Sequence, residues 1–141
     1  MKVNGKNIPD YSDTKRDNVP GEFKWGVTDL YPDDEAWEAD KKQLLEMINQ
    51  IDELSKDWTA TPTKMFQLLD HVDRLEIKEY RLYVYTTLQV ETDMDNSRLQ
   101  AMKGDINTID VDLASKLTFI DPDILALGEE KIKRYLEEEP K

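Results

Sequence analysis

Apolar residues recur along most of this chain at steps of three and four, the signature of helices that bury one face. From Asp33 onward, Trp37, Leu44, Leu45, Ile48, Ile51 and Leu54 form one such stripe. Asp33 stands where a side chain caps free backbone N–H groups, and Asp34 and Glu35 fall in the first turn, where the helix dipole favours anions. Thr59-Ala60-Thr61-Pro62 interrupts the pattern as a turn, with Thr61 as cap and Pro62 as the first helical residue of the next segment. Met65, Leu68, Leu69, Val72, Leu75, Tyr80, Tyr83 and Val84 carry a second helical period to about Val90. Within it the run Tyr80 to Leu88 is apolar nearly all round, and a helix apolar on every side is buried on every side. Its β-branched residues hint at a strand, but the run lies inside one long uninterrupted helical pattern.

Asp95 is placed to cap a third helix, whose seam Leu99, Met102, Ile106, Ile109 and Leu113 alternates steps of three and four and runs on to Leu117 and Ile120. Antiparallel helical hairpins use such seams. Asp121-Pro122 repeats the cap-plus-proline signature and opens a short helix from Pro122 to Leu127, which Gly128 ends. Glu129 to Glu138 reads as one more helix, with Ile132, Tyr135 and Leu136 inside. Residues 1–32 differ. They show no helical period, and Pro9, Pro20, Gly21, Gly26 and Pro32 punctuate them as an extended arm with turns. Phe23 and Trp25, then Val27, Leu30 and Tyr31, predict that the second half of the arm packs along the helices. The expected fold is all-α: an N-terminal extended arm (1–32), then antiparallel helical hairpins (33–141) with three long helices and one or two short C-terminal ones. Two-thirds or more of the chain should be helical, with no sheet beyond an incidental pairing in the arm.

Composition narrows the picture. In 141 residues, 38% are hydrophobic and 35% charged, a ratio that suits a thin helical layer or a piece of something larger. Leu, Ile, Val and Phe still total 34 residues, enough to argue against disorder. The net charge of −12 repels phosphate backbones and anionic membranes, so neither nucleic acid nor membrane is an expected partner. Residues 33–58 hold nine acids and three bases, half of that imbalance, and a solvated helix face explains them. With no cysteine, disulfides, thiol nucleophiles and cysteine metal sites are excluded. The N-terminus lacks an apolar signal core and no segment is long and apolar enough to span a bilayer, so the expected location is cytoplasmic.

Little here carries chemistry. His71 is the single histidine, and its neighbours Asp70 and Asp73 face away from it on a helix, so it reads as a surface histidine and not as a ligand. Asp93-Met94-Asp95-Asn96-Ser97 starts like a calcium loop, but Arg98 and Gly104 occupy the positions that need Gly and Glu. A capped helix–helix turn explains it. The five glycines form neither a Walker loop nor a dinucleotide fingerprint. Tyr80, Tyr83 and Tyr85 with Arg81 are the one unusual concentration. Tyr and Arg are enriched at interfaces, so these four are either core with hydroxyls at a polar edge or a surface that meets a further domain or lines a cleft.

Three stretches in order resemble one family. Arg16, Val19-Pro20, Lys24-Trp25, Thr28-Asp29-Leu30-Tyr31-Pro32 and Asp34-Glu35-Ala36-Trp37-Glu38 resemble the opening of oligoendopeptidase F, a zinc metallopeptidase family of thimet-oligopeptidase type. Arg81-Leu82-Tyr83-Val84-Tyr85 with Thr92 and Asp93 is similar to its second-helix motif. Phe119-Ile120-Asp121-Pro122-Asp123-Ile124-Leu125-Ala126-Leu127, with Glu129-Glu130-Lys131-Ile132 and Tyr135-Leu136, resembles its short connecting helix and the one after it. Trp25-Gly26-Val27 departs from the family's usual Trp-Asp-Leu. The resemblance implies the N-terminal helical region of a peptidase that cuts short peptides in a channel, with this region forming part of the channel wall. The family's catalytic His-Glu-x-x-His needs two histidines, so no catalytic or metal residue carries over to any position here. Zinc is implied for a full-length parent and no cofactor for this region. The implied partners are the parent's catalytic domain and its short peptides. The rival reading is a free-standing acidic helical module that binds a partner through its Tyr-rich face, and the chain is expected to self-associate or to expose a patch built from some of Tyr80, Tyr83, Tyr85 and Leu88.

Overall fold

The computed structural model describes residues 2–3, 6–7, 9–11, 13–15, 18–24 and 26–138 of the chain. Arg16 and Trp25, both used in the sequence argument, lie outside the described residues. In the arm, the two-residue strands β1 (Lys2–Val3) and β2 (Lys6–Asn7) pair antiparallel. Two 3-10 turns, Gly21–Phe23 and Val27–Asp29, lead to the helices. Then come α1 (Asp34–Leu54), α2 (Pro62–Thr92), α3 (Ser97–Lys116), α4 (Ile120–Leu127) and α5 (Glu129–Glu138). The fold is all-helical apart from that pairing. Among the described residues no helix is long and apolar enough to cross a membrane.

Local chemistry starts and stops these helices. The Asp33 carboxylate accepts a hydrogen bond from the Ala36 N–H at 2.8 Å, and the Thr61 hydroxyl accepts one from the Lys64 N–H at 3.2 Å. The third cap is Asn96, not Asp95: its Oδ1 accepts from the N–H groups of Arg98 and Leu99, while its Nδ2–H donates to Asp93. One extra turn residue moves the cap one place along. α4 begins at Ile120, two residues before Pro122, because the chain enters it through a helical turn at Phe119 with no side-chain cap. Gly128, at φ 76°, ends it in a conformation a side chain would strain.

α2 is the central helix, packed by α1 on one side and α3 on the other. Its buried positions are Leu68, Val72, Leu75, Leu82, Tyr85, Thr86 and Val90. The stripe therefore passes from Leu75 to Leu82, not to Tyr80 and Tyr83. At 100° per residue, seven steps return to nearly the same face, whereas five steps from Leu75 to Tyr80 turn the side chain about 140° away. On α1, Trp37, Leu44, Ile48 and Ile51 are buried but Leu45 is 42% exposed, one step round from Leu44. Trp37 is fully enclosed, and its Nε1–H donates to the Leu82 carbonyl at 3.1 Å. The arm covers a third side of α2. Tyr31 is buried with Val27 and Leu30 against it, whereas Phe23 stays half-exposed beside Tyr11.

Three ion pairs set the register of α1 against α3: Asp34–Arg98, Lys41–Asp105 at 2.9 Å and Asp52–Lys116 at 2.7 Å. Each joins residues separated by 64 positions, so the two helices run parallel across the antiparallel α2. Along each helix the pairs recur after seven and then eleven residues, spacings that stay on one face. Exposed pairs contribute under about 1 kcal/mol each, so they select register more than they add stability. The acids of α1 are thus only partly a solvated face. A smaller cluster closes the far end: Trp58, Leu68 and Val72, with Phe119 edge-on to Trp58 at 5.8 Å. Trp58 Nε1–H donates to Asp123 at 2.8 Å, and the Tyr135 hydroxyl lies within hydrogen-bond reach of the carbonyls of Thr59 and Ala60, folding α4 and α5 back over the α1–α2 turn.

Replacing Trp37 by Ala should lower unfolding free energy by about 3–5 kcal/mol, and Trp37→Phe by about 1–2, read from urea denaturation. Equal losses in both variants would mean that ring packing contributes little.

Candidate functional site

The four residues singled out from sequence divide into two pairs. Tyr85 is 4% exposed; its ring meets Tyr31 edge-on at 5.3 Å, and its hydroxyl donates to Asp34 Oδ1 at 3.1 Å. Arg81 turns toward the arm, donating to the Leu30 carbonyl with its guanidinium 4.8 Å from the Tyr31 ring centroid. These two fasten the arm to α2. Tyr85 therefore belongs to the core of this chain and not to an open surface. Tyr80 and Tyr83 point outward, their rings stacked at 6.4 Å with 24° between planes. Leu88 is half-buried.

Arm, α1 and α2 also share a polar knot. Asp40 accepts from Tyr31 Oη at 2.6 Å and from Lys78 Nζ. Burial pushes the Asp40 carboxyl up, but the hydrogen bonds from Lys78 and Tyr31 and the charges of Lys78 and Arg81 outweigh it and hold the group below its usual range. Tyr31 is held well above the ordinary tyrosine range, first by burial and then by its bond to the Asp40 carboxylate. Both effects keep Tyr31 neutral and Asp40 charged at neutral pH, the forms that the hydrogen bond needs.

Beside Tyr80, residues of α2 and α3 line an open groove of about 650 Å³. Ile77, Tyr80, Leu113, Ala114 and Leu117 give it an apolar lining; Asp73, Glu76, Glu79 and Asp110 stand around it. Ile77 is 71% exposed and Tyr80 66%. Sequence reading passed over Ile77 because it lies off the Leu75–Leu82 stripe. The available signal was Asp73, Glu76, Ile77 and Tyr80 at steps of three, one and three, a second face of the same helix. Burial, then the charges of Asp110 and Glu76, push the Glu79 carboxyl above its usual range.

His71 is half-buried, and its Nε2–H donates to the Met47 carbonyl at 2.9 Å. Among the described residues no three His, Asp or Glu side chains converge as ligands. Asn96 donates to Asp93 and accepts from the N–H groups at the start of α3, so the acidic turn is a helix cap.

What this geometry defines is a layer of antiparallel helices with an open groove lined from α2 and α3. No family model matches the chain. Oligopeptidase PepF of Bacillus subtilis (strain 168) is 24% identical over 129 residues, which cover 92% of this chain and 18% of that protein. Group B oligopeptidase PepB of Streptococcus agalactiae serotype III (strain NEM316) is 19% identical over 125 residues, 89% of this chain and 21% of its own length. A crystal structure of oligoendopeptidase-F from Enterococcus faecium shares the fold, with a TM-score of 0.70 and 21% identity over 77% of this chain and 21% of that one. The chain is homologous, over most of its length, to the N-terminal region of the oligoendopeptidase F and PepF peptidases. It spans about a fifth of the length of those curated relatives.

Because folding raises the Glu79 pKa, its charge opposes folding above the usual carboxylate range and costs nothing below it. Glu79→Gln should therefore stabilise the chain at pH 7, by roughly 0.5 kcal/mol because solvent still screens the group. The gain should vanish as pH falls below about 4. Thermal melts of the two proteins from pH 3 to pH 8 would check both the sign and the window.

Proposed function

We propose that this chain acts as the non-catalytic N-terminal helical region of a zinc-dependent oligoendopeptidase, forming part of the wall of a channel for short peptides. The observation that carries the reading is homology along 92% of the chain to a part of an oligopeptidase that amounts to 18% of its length. The chain's chemistry supports it. Its one histidine cannot supply the two imidazoles of a His-Glu-x-x-His site, so hydrolysis and zinc would come from the catalytic domain of the parent. In this reading Tyr80 and Tyr83, with Arg81 and Tyr85 holding the arm behind them, belong to the face turned toward that domain or its peptides. Cytoplasmic peptide turnover follows as the setting.

A chimera tests the proposal. This chain replaces the homologous region of the Bacillus subtilis PepF protein, and hydrolysis of a short fluorogenic peptide is measured. The chimera should retain activity that a deletion of the same region lacks, and Tyr80→Ala within it should change KM more than kcat. A chimera as inactive as the deletion would count against the channel-wall role. The isolated chain, with zinc added, should neither retain stoichiometric metal after dialysis nor cleave the peptide.

A further inference from the structure

The groove between α2 and α3 has two properties that together select an occupant. Its exposed apolar residues, Ile77 and Tyr80, lie where water gains nothing from them, and covering such area contributes about 25 cal/mol per Å². Around them Asp73, Glu76, Glu79 and Asp110 bring four carboxylates and no cation to the lining. Nearby bases are committed elsewhere: Arg74 to Asp70 at 2.8 Å, Lys78 to Asp40, and Lys116 to Asp52 at 2.7 Å. None of the four groove carboxylates makes an ion pair among the described residues.

A second copy of this chain would bring the same acidic rim and the same net charge of −12 against the first, so like charges oppose that occupant. Nucleic acid and anionic lipid are repelled for the same reason. A small polyamine would answer the carboxylates and leave Ile77 and Tyr80 wet. The stacked faces of Tyr80 and Tyr83 also favour a cation laid over them. From this charge and shape complementarity we infer that the α2–α3 groove binds a basic amphipathic peptide, its apolar side chain on Ile77 and Tyr80 and its Lys or Arg residues on Asp73, Glu76, Glu79 and Asp110. The inference rests on the channel-wall reading for the direction the Tyr80 face is turned and names the class of peptide that face takes; binding by this chain alone, without cleavage, tests it apart from the chimera.

The test is fluorescence anisotropy of the full chain with a synthetic labelled peptide in which lysines flank a Trp-Leu pair. Glu76→Gln/Asp110→Asn should weaken binding by about tenfold at low salt. Glu130→Gln/Glu137→Gln, which removes the same charge from α5, should weaken it by less than about twofold. Ile77→Ser should weaken it by about tenfold, and a lysine-only peptide should bind as weakly as the Ile77→Ser protein does to the Trp-Leu peptide. Equal losses from the two charge variants would reveal diffuse attraction to the whole surface and overturn the site. So would undiminished binding of the lysine-only peptide, or a dimer in sedimentation that Ile77→Ser dissolves. Amide shift mapping on the unmodified protein serves as a fold-independent readout: perturbations clustered at Ile77 and Tyr80 support the site, and perturbations elsewhere refute it.

Discussion

The indole of Trp37 ties α1 to α2 inside the main core, closed to solvent. It is wholly enclosed, and its one polar atom donates to the Leu82 carbonyl, which also accepts the Thr86 hydroxyl at 2.9 Å. A buried N–H without a partner would cost about 1–3 kcal/mol, so the indole admits few alternative registers between the two helices. Once that register is set, Leu82 and Tyr85 face the core and Tyr80 and Tyr83 face out. Tyr31 then packs on Tyr85, the arm lies down, and Arg81 reaches back to the Leu30 carbonyl. The position of the groove on the remaining side of α2 is a consequence of the same rotation.

Electrostatics adds direction to this packing. Asp34 accepts the Tyr85 hydroxyl on one oxygen and the Arg98 guanidinium on the other, so the start of α1 is joined to both other long helices. The bases near the α1 side of α2 and α3 are consumed in such pairs, which leaves the opposite side acidic. A peptidase region that meets peptides needs a wall stiff enough to hold shape and a surface with a bias in charge. In the proposed function the first comes from the Trp37 seam and the second from where the lysines are spent.

Much of this was legible in the sequence, because caps and apolar periods are local signals. Asp33 and Thr61 announce their helices by residue type alone, and the alternating steps of the Leu99–Leu113 seam admit one buried face. The phase of α2 was harder to read. Its aromatic run is apolar nearly all round, so periodicity could not rank Tyr80 against Leu82; the Trp37 hydrogen bond and the arm decide it. Thr86, buried with its hydroxyl bonded to the previous turn, is invisible to any apolar pattern. Trp58 went unremarked because it sits in a turn, where no period applies. The groove brings Ile77 and Tyr80 of α2 beside Asp110 and Leu113 of the following helix, a tertiary juxtaposition, and only its acidic and apolar steps along α2 were written locally.

The two buried indoles whose partners are known offer the most direct check on the claim that the Trp37 seam organises the fold. Trp58 belongs to the smaller cluster under α4 and α5, neither of which has a fully buried side chain. Hydrogen exchange of the indole N–H groups, followed by NMR, reports the free energy at which each opens. The Trp37 proton should exchange only through global unfolding, with a free energy equal to that from denaturant, while the Trp58 proton should exchange through a smaller opening at lower free energy. Exchange of Trp37 as fast as that of Trp58, or faster, would contradict that claim.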